Sequence, residues 1–151
     1  MPQSLSKIYI HLIFHIKTTS PKILEKDWER VHSYMGQLIN KAGCKNIWVG
    51  GVEDHAHILF LLSREVTISH VAEEVKRNSS RWIKGLSSTY QLFTWQGGYA
   101  AFSVSQSVAD KTLQYIKQQR EHHKKYSFKE EYQRFLESYN IEYDKEYVFK
   151  D

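Results

Sequence analysis

The hydrophobic period of this chain switches between two and about 3.6 residues in one order, and that order limits what it can fold into. From Lys7 to Lys17, Ile8, Ile10, Leu12, Phe14 and Ile16 alternate with Tyr9, His11, Ile13, His15 and Lys17, which predicts a strand. Trp28, Val31, Met35, Leu38, Ile39 and Ala42 then recur at helical spacing, and Gly43 supplies the left-handed residue that a helix end favours. A helix is expected from about Glu25 to Ala42. Cys44–Val52 and His55–Leu62 are short apolar segments separated by Glu53 and Asp54, the pattern of an antiparallel hairpin that delivers His55 at a strand start. Ile68, Val71, Ala72, Val75, Ser79, Trp82, Ile83 and Leu86 form a second helical stripe behind Thr67, a candidate N-cap. After the break at Gln96, Gly97 and Gly98, Tyr99–Ser105 alternates again. Val108 to about Lys125 reads as helix, and Ser127 with Glu130 forms a capping box that opens one more, through Tyr139. The tail after Asn140 is acidic and aromatic, without a clear period.

The order βαββαβ predicts an α+β, ferredoxin-like (RRM-like) antiparallel sheet. Both crossover helices share one face, the other face stays open, and two helices follow. With 151 residues, 41% of them apolar, and Pro only at Pro2 and Pro21, the whole of 1–151 is expected to be one domain without linker or repeat. Cys44 stands alone, which excludes an internal disulfide framework and a Cys-rich zinc site, and it is expected to be buried at a strand start. Met1 to Lys7 lacks the apolar core of a signal peptide, and runs such as Ile58–Leu62 fall far short of a membrane span. A soluble, cytoplasmic protein is therefore expected. The net charge of +4 is too small to decide a partner by itself.

Four groups of residues could carry chemistry. In Asp54-His55-Ala56-His57 the two imidazoles project from one strand face, where they could hold a metal or serve as plain structural histidines. On the helix that begins at Val108, Tyr115 lies away from the stripe Ala109, Leu113 and Ile116, and Gln119 follows one turn later on the same face. A nucleophile and a neutral oxygen donor are thus presented together, unless this is simply a solvated face. Lys76, Arg77, Arg81 and Lys84 gather on the outer side of the second long helix, and Arg120 lies in a basic run through Lys125; both could touch phosphates. His11 and His15 lie opposite the Ile/Leu side of the first strand, where structural roles are the default. The chain has no GxxxxGKS, GxGxxG, HExxH or GxSxG motif, so nucleotide-driven, dinucleotide, zincin and hydrolase readings lose their usual support.

The segments VEDHAHILF at Val52–Phe60, VKRNSSRWIK at Val75–Lys84, FTWQGGYAAFSVSQS at Phe93–Ser107 and YIKQQREHHK at Tyr115–Lys124 together resemble the HUH single-tyrosine transposases of insertion sequences, including the REP-associated tyrosine transposases. Ala56 is smaller than the bulky residue usual between the two histidines. The resemblance implies Tyr115 as nucleophile, His55, His57 and Gln119 as metal ligands, and Mg²⁺ or Mn²⁺ rather than zinc as the cofactor. It also implies single-stranded DNA with hairpin ends as substrate, a 5′-phosphotyrosine intermediate, and a homodimer in which the tyrosine helix can serve either subunit. Lys76, Arg77, Arg81, Lys84 and Arg120 are expected DNA contacts. Two other readings stand beside a mobile-element transposase: a resident, domesticated enzyme acting on chromosomal repeats, and a non-catalytic nucleic-acid-binding module that uses the open sheet face.

Overall fold

Four strands, β1 (Tyr9–His15), β2 (Lys45–Gly51), β3 (His55–Leu61) and β4 (Ala100–Val104), pair antiparallel in the order β2-β3-β1-β4. The structure is a computed structural model and describes residues 2–150; Met1 and Asp151, the ends of the expected domain, lie outside the described residues. Helices α1 (Glu25–Lys41) and α2 (Ile68–Lys84) are the crossovers, and α3 (Ala109–Lys117), α4 (Gln119–Lys125), α5 (Phe128–Ser138) and α6 (Lys145–Val148) follow β4. This is the ferredoxin-like arrangement. Among the described residues no helix is long and apolar enough to cross a membrane.

The first sheet face is built from the alternation of β1 and β3. Ile10, Leu12 and Phe14 beside Ala56, Ile58 and Phe60 pack against Val31, Met35 and Ile39 of α1 and Val71, Ala72, Val75 and Ile83 of α2. Burying each large side chain of this kind contributes about 1.5–3 kcal/mol. Gly43, at φ +92°, ends α1 as the left-handed residue, and Thr67 caps α2 by accepting from the His70 amide at 3.1 Å. Cys44 is buried just ahead of β2.

The second face is not open, which corrects the expectation. Phe128, Tyr132 and Leu136 of α5 cover Ile13, Ala100 and Phe102, while Ala109 and Ile116 of α3 cover Leu59 and Val104. The cause is the apolar stripe of each added helix, which has nowhere else to be buried. The expected helix from Val108 to Lys125 is also interrupted. At Gln118 (φ −99°, ψ 19°) the amide is shared between the carbonyls of Gln114 and Tyr115, and α4 starts anew at Gln119. The tail contributes α6, a single turn capped by Asp144 that no periodicity announces.

One glycine decides how near α3 can come. Gly50 stands opposite His57 in the β2–β3 register, and a Cβ there would meet Ile116 Cγ2 at 2.6 Å and the Ile116 carbonyl oxygen at 2.8 Å. Only a residue without a side chain lets the helix carrying Tyr115 lie on the sheet beside His57. We expect Gly50→Ala to push α3 outward, at a cost of about 1–3 kcal/mol. Scanning calorimetry should read this as a thermal midpoint lower by roughly 3–10 °C. An unchanged midpoint would show that the helix is not held at this glycine.

Candidate metal and tyrosine site

His55 and His57 point to the second sheet face because they lie two residues apart on β3, and α3, α4 and α5 close over them. They are 1% and 0% exposed, so every ring nitrogen needs a partner. His55 Nδ1 lies 2.7 Å from Asp54 Oδ1, and His57 Nδ1 lies 2.8 Å from His11 Nε2. With both Nδ1 atoms engaged, the two Nε2 atoms turn to a common centre. There His55 Nε2 is 2.8 Å from Gln119 Oε1, and His57 Nε2 is 2.8 Å from Glu131 Oε1, which also lies 3.6 Å from His55 Nε2. Gln119 Nε2 donates to Glu131 Oε2 at 3.5 Å. The break at Gln118 precedes the residue that turns inward, and Gln119 is 1% exposed.

Tyr115 closes the group. Its ring centroid is 5.9 Å from that of His57, 4.4 Å from His122 and 5.5 Å from Phe135, and its phenol is acted on by Glu131 and Gln119. All of these groups belong to one chain.

The electrostatics follow from burial among charges. Burial disfavours charge on His55, but hydrogen bonds to Asp54 and Glu131 and their charges outweigh it and raise its pKa to about 9. Burial lowers His57 and also His11, which feels the charge of His57 besides. Burial works to raise Glu131, yet the two imidazoles hold its carboxyl well below the ordinary range. Burial, then the Glu131 charge, push the Tyr115 phenol well above its usual value. The cluster is thus held by a protonated His55 between two carboxylates.

A divalent cation would replace that proton. His55, His57 and Glu131 each offer a ligand atom within 4.8 Å of the others, and Gln119 Oε1 faces the same centre. Asp54 on His55 Nδ1 repeats the way metal-bound histidines are commonly oriented, by a carboxylate on the far ring nitrogen. Two imidazoles with two oxygen donors suit a divalent transition-metal ion.

Tyr115, His55, His57 and Gln119 therefore lie together. The cations of α2 are not, because α2 packs on the opposite sheet face. Lys76 Nζ donates to the carbonyls of Gln96 (2.7 Å) and Gly98 (2.8 Å), Arg77 pairs with Glu73 and Glu74, and Arg81 and Lys84 are exposed on that far layer. Arg120 is exposed nearer the site, 2.5 Å from Glu25 Oε1 and over the Trp28 ring. Sequence reasoning missed Glu131. Its signal is a carboxylate inside an apolar stripe, between Phe128 and Tyr132 on one side and Phe135 on the other. It also missed the contact of His11 with His57; His15, by contrast, packs among the rings of Phe128, Tyr132 and Phe149.

The raised His55 sets a pH dependence in metal-free protein. Its contribution to stability is complete below its unfolded value near ~6.5 and is lost as pH rises through about 9. Glu131→Gln removes one source of the shift. In chelator, the thermal midpoint of the native chain should fall more steeply than that of Glu131→Gln between about pH 7 and about pH 10. Parallel curves would mean that His55 is not paired with Glu131.

The family model described as "Transposase IS200 like" matches residues 4–119. No curated protein sequence matches the chain. Among solved structures, it is similar to a candidate transposase from Deinococcus radiodurans R1, with 17% identity, a TM-score of 0.60, and coverage of 79% of this chain and 98% of that one. It is also similar to a REP-associated tyrosine transposase bound to a REP hairpin, with 12% identity, a TM-score of 0.59, and coverage of 82% and 73%. At those identities the two structures speak for the fold, while the family match covers well over half of the sequence and includes both histidines, the tyrosine and the glutamine. The chain belongs to the IS200-like transposase family.

Proposed function

We propose that this protein is a metal-dependent transposase, one domain over 1–151, that cuts and rejoins single-stranded DNA bearing hairpin ends through a 5′-phosphotyrosine. The observation that supports this best is the meeting, within one chain, of Tyr115 with His55 Nε2, His57 Nε2 and Gln119 Oε1. His55, His57 and Gln119 would hold the cation, Mg²⁺ or Mn²⁺, with Glu131 as a fourth donor. When bound, the cation supplies Lewis-acid polarisation of the phosphate oxygens.

Tyr115 Oη attacks the phosphorus in line, an O–P bond forms, and the bond from phosphorus to the 3′-oxygen breaks. The phenol gives up its proton, for which Glu131 is the proposed acceptor, and the departing 3′-oxygen gains one to become a free 3′-OH. Asp54 and His11 keep the two imidazoles turned inward. Because the phosphotyrosine preserves a phosphoester, a second 3′-OH reverses the step and reseals DNA without a nucleotide cofactor. Arg120 tracks the DNA backbone near the site. The enzyme works as a homodimer in the cytoplasm of a bacterial or archaeal cell. The covered second face disfavours a module that stacks bases on an open sheet.

With a labelled single-stranded hairpin substrate and Mn²⁺ or Mg²⁺, a covalent adduct should survive a denaturing gel. Tyr115→Phe should lower its yield by at least about 10³-fold with the fold intact, and chelation or His57→Ala should do the same. A full adduct from Tyr115→Phe would move the nucleophile elsewhere and overturn the assignment.

A further inference from the structure

The buried cluster leaves DNA one side from which to reach the tyrosine. His55, His57, Gln119 and Glu131 are no more than 5% exposed, whereas Tyr115 is only half-buried. Its ring borders two cavities that meet along Tyr115 and His122. One, of about 390 Å³, includes Asp110, Lys111, Gln114 and Gln118. The other, of about 330 Å³, lies between α4 and α5 and is walled by His122, Tyr126, Phe135 and Arg134, with Glu131 at its inner end.

The second cavity has the chemistry of a base-binding slot. Its walls are mostly aromatic, and its one cation is exposed: the Arg134 guanidinium lies 4.0 Å over the Tyr126 ring and acts electrostatically on the Tyr115 phenol. Arg134 makes no hydrogen bond or ion pair with another described residue, so its donors are free for a phosphate. The Glu131 carboxylate is turned to His55 and His57. In size the cavity stands near the lower end of small-ligand sites, roughly 300–1,000 Å³, which fits one nucleoside and not a duplex. Attack also demands that the phosphorus come within about 3–3.5 Å of the phenol oxygen. A nucleoside joined to that phosphate must then occupy space adjoining the Tyr115 ring.

Resting on the proposed function, we infer that the cavity between α4 and α5 is the subsite for a nucleoside flanking the scissile phosphate. Its base stacks on Phe135 and Tyr126, Arg134 binds the neighbouring phosphate, and the strand crosses His122 into the adjoining cavity. Aromatic stacking of this kind is tolerant of base identity, because every base offers a π face. Tyr126, Arg134 and Phe135 all lie beyond residue 119, where the family match ends, so the slot is built by this chain's own C-terminal segment.

Photo-crosslinking tests the subsite without requiring cleavage. Tyr115→Phe protein is irradiated with an oligothymidylate of about 16 nucleotides containing 4-thiothymidine, and the labelled peptides are mapped by mass spectrometry. The crosslink is expected on the segment holding Tyr126 and Phe135. In that background Arg134→Gln and Tyr126→Leu should each reduce it about 10-fold at an unchanged thermal midpoint. Labelling that maps only to other surfaces, or that both substitutions leave intact, overturns the subsite while the DNA-processing reading stands. No crosslink anywhere overturns both.

Discussion

Everything in the second half of this molecule depends on the buried contact between His57 Nε2 and Glu131 Oε1. It is 2.8 Å long, with the imidazole wholly buried and the carboxylate nearly so. It joins the centre of the sheet to a helix that follows it by more than 70 positions. Burying a carboxylate is expensive unless its lone pairs are met, and here the two imidazoles and the Gln119 amide meet them. The contact forms where α5 docks, and with α5 come Phe128, Tyr132 and Leu136, which seal the second sheet face. A polar cluster and an apolar layer are thus two consequences of one docking event. Removing the carboxylate alone would leave imidazoles facing a dry void.

The βαββαβ part of the fold was legible because local rules and burial agree there. Alternation in β1, the stripe of α2 and the caps at Gly43 and Thr67 all point to the structure observed. The break at Gln118 was not legible. Gln114 to Lys125 contains no Gly or Pro, and the amide of Gln118 can be shared between two carbonyls with no marker in the sequence. Coverage of the second face was hidden for a different reason. Patterning shows that α5 has an apolar stripe but not which surface receives it.

The site divides along the same line. His55 and His57 follow from the period of a strand, and Tyr115 with Gln119 from the period of a helix, so each pair could be read from spacing, while joining the two pairs rested on the family resemblance. Glu131 could not, because its pairing is tertiary: α5 must dock first, and only then does one carboxylate in an apolar stripe find two imidazoles. The α2 cations lie apart from that site, on the opposite sheet face. Their spacing is right for a phosphate-binding face, yet Lys76 is occupied by the carbonyls of Gln96 and Gly98, where it ties the loop before β4 to the helix layer. Helical spacing places charges on a common side but says nothing of what that side meets.

The limit of the family match at residue 119 falls between two kinds of contribution. Residues up to Gln119 bring the imidazoles, the amide oxygen and the phenol, all the donors that the proposed chemistry names. Residues after it bring a carboxylate and the aromatic wall that surround those donors. Glu131 meets the two histidines, and burial, then its charge, raise the Tyr115 phenol. His55, His57, Glu131 and Gln119 would hold a divalent cation, whose charge would offset that of Glu131. Under the proposed function, the C-terminal helix therefore links the state of the nucleophile to the state of the metal centre, through one carboxylate that acts on both.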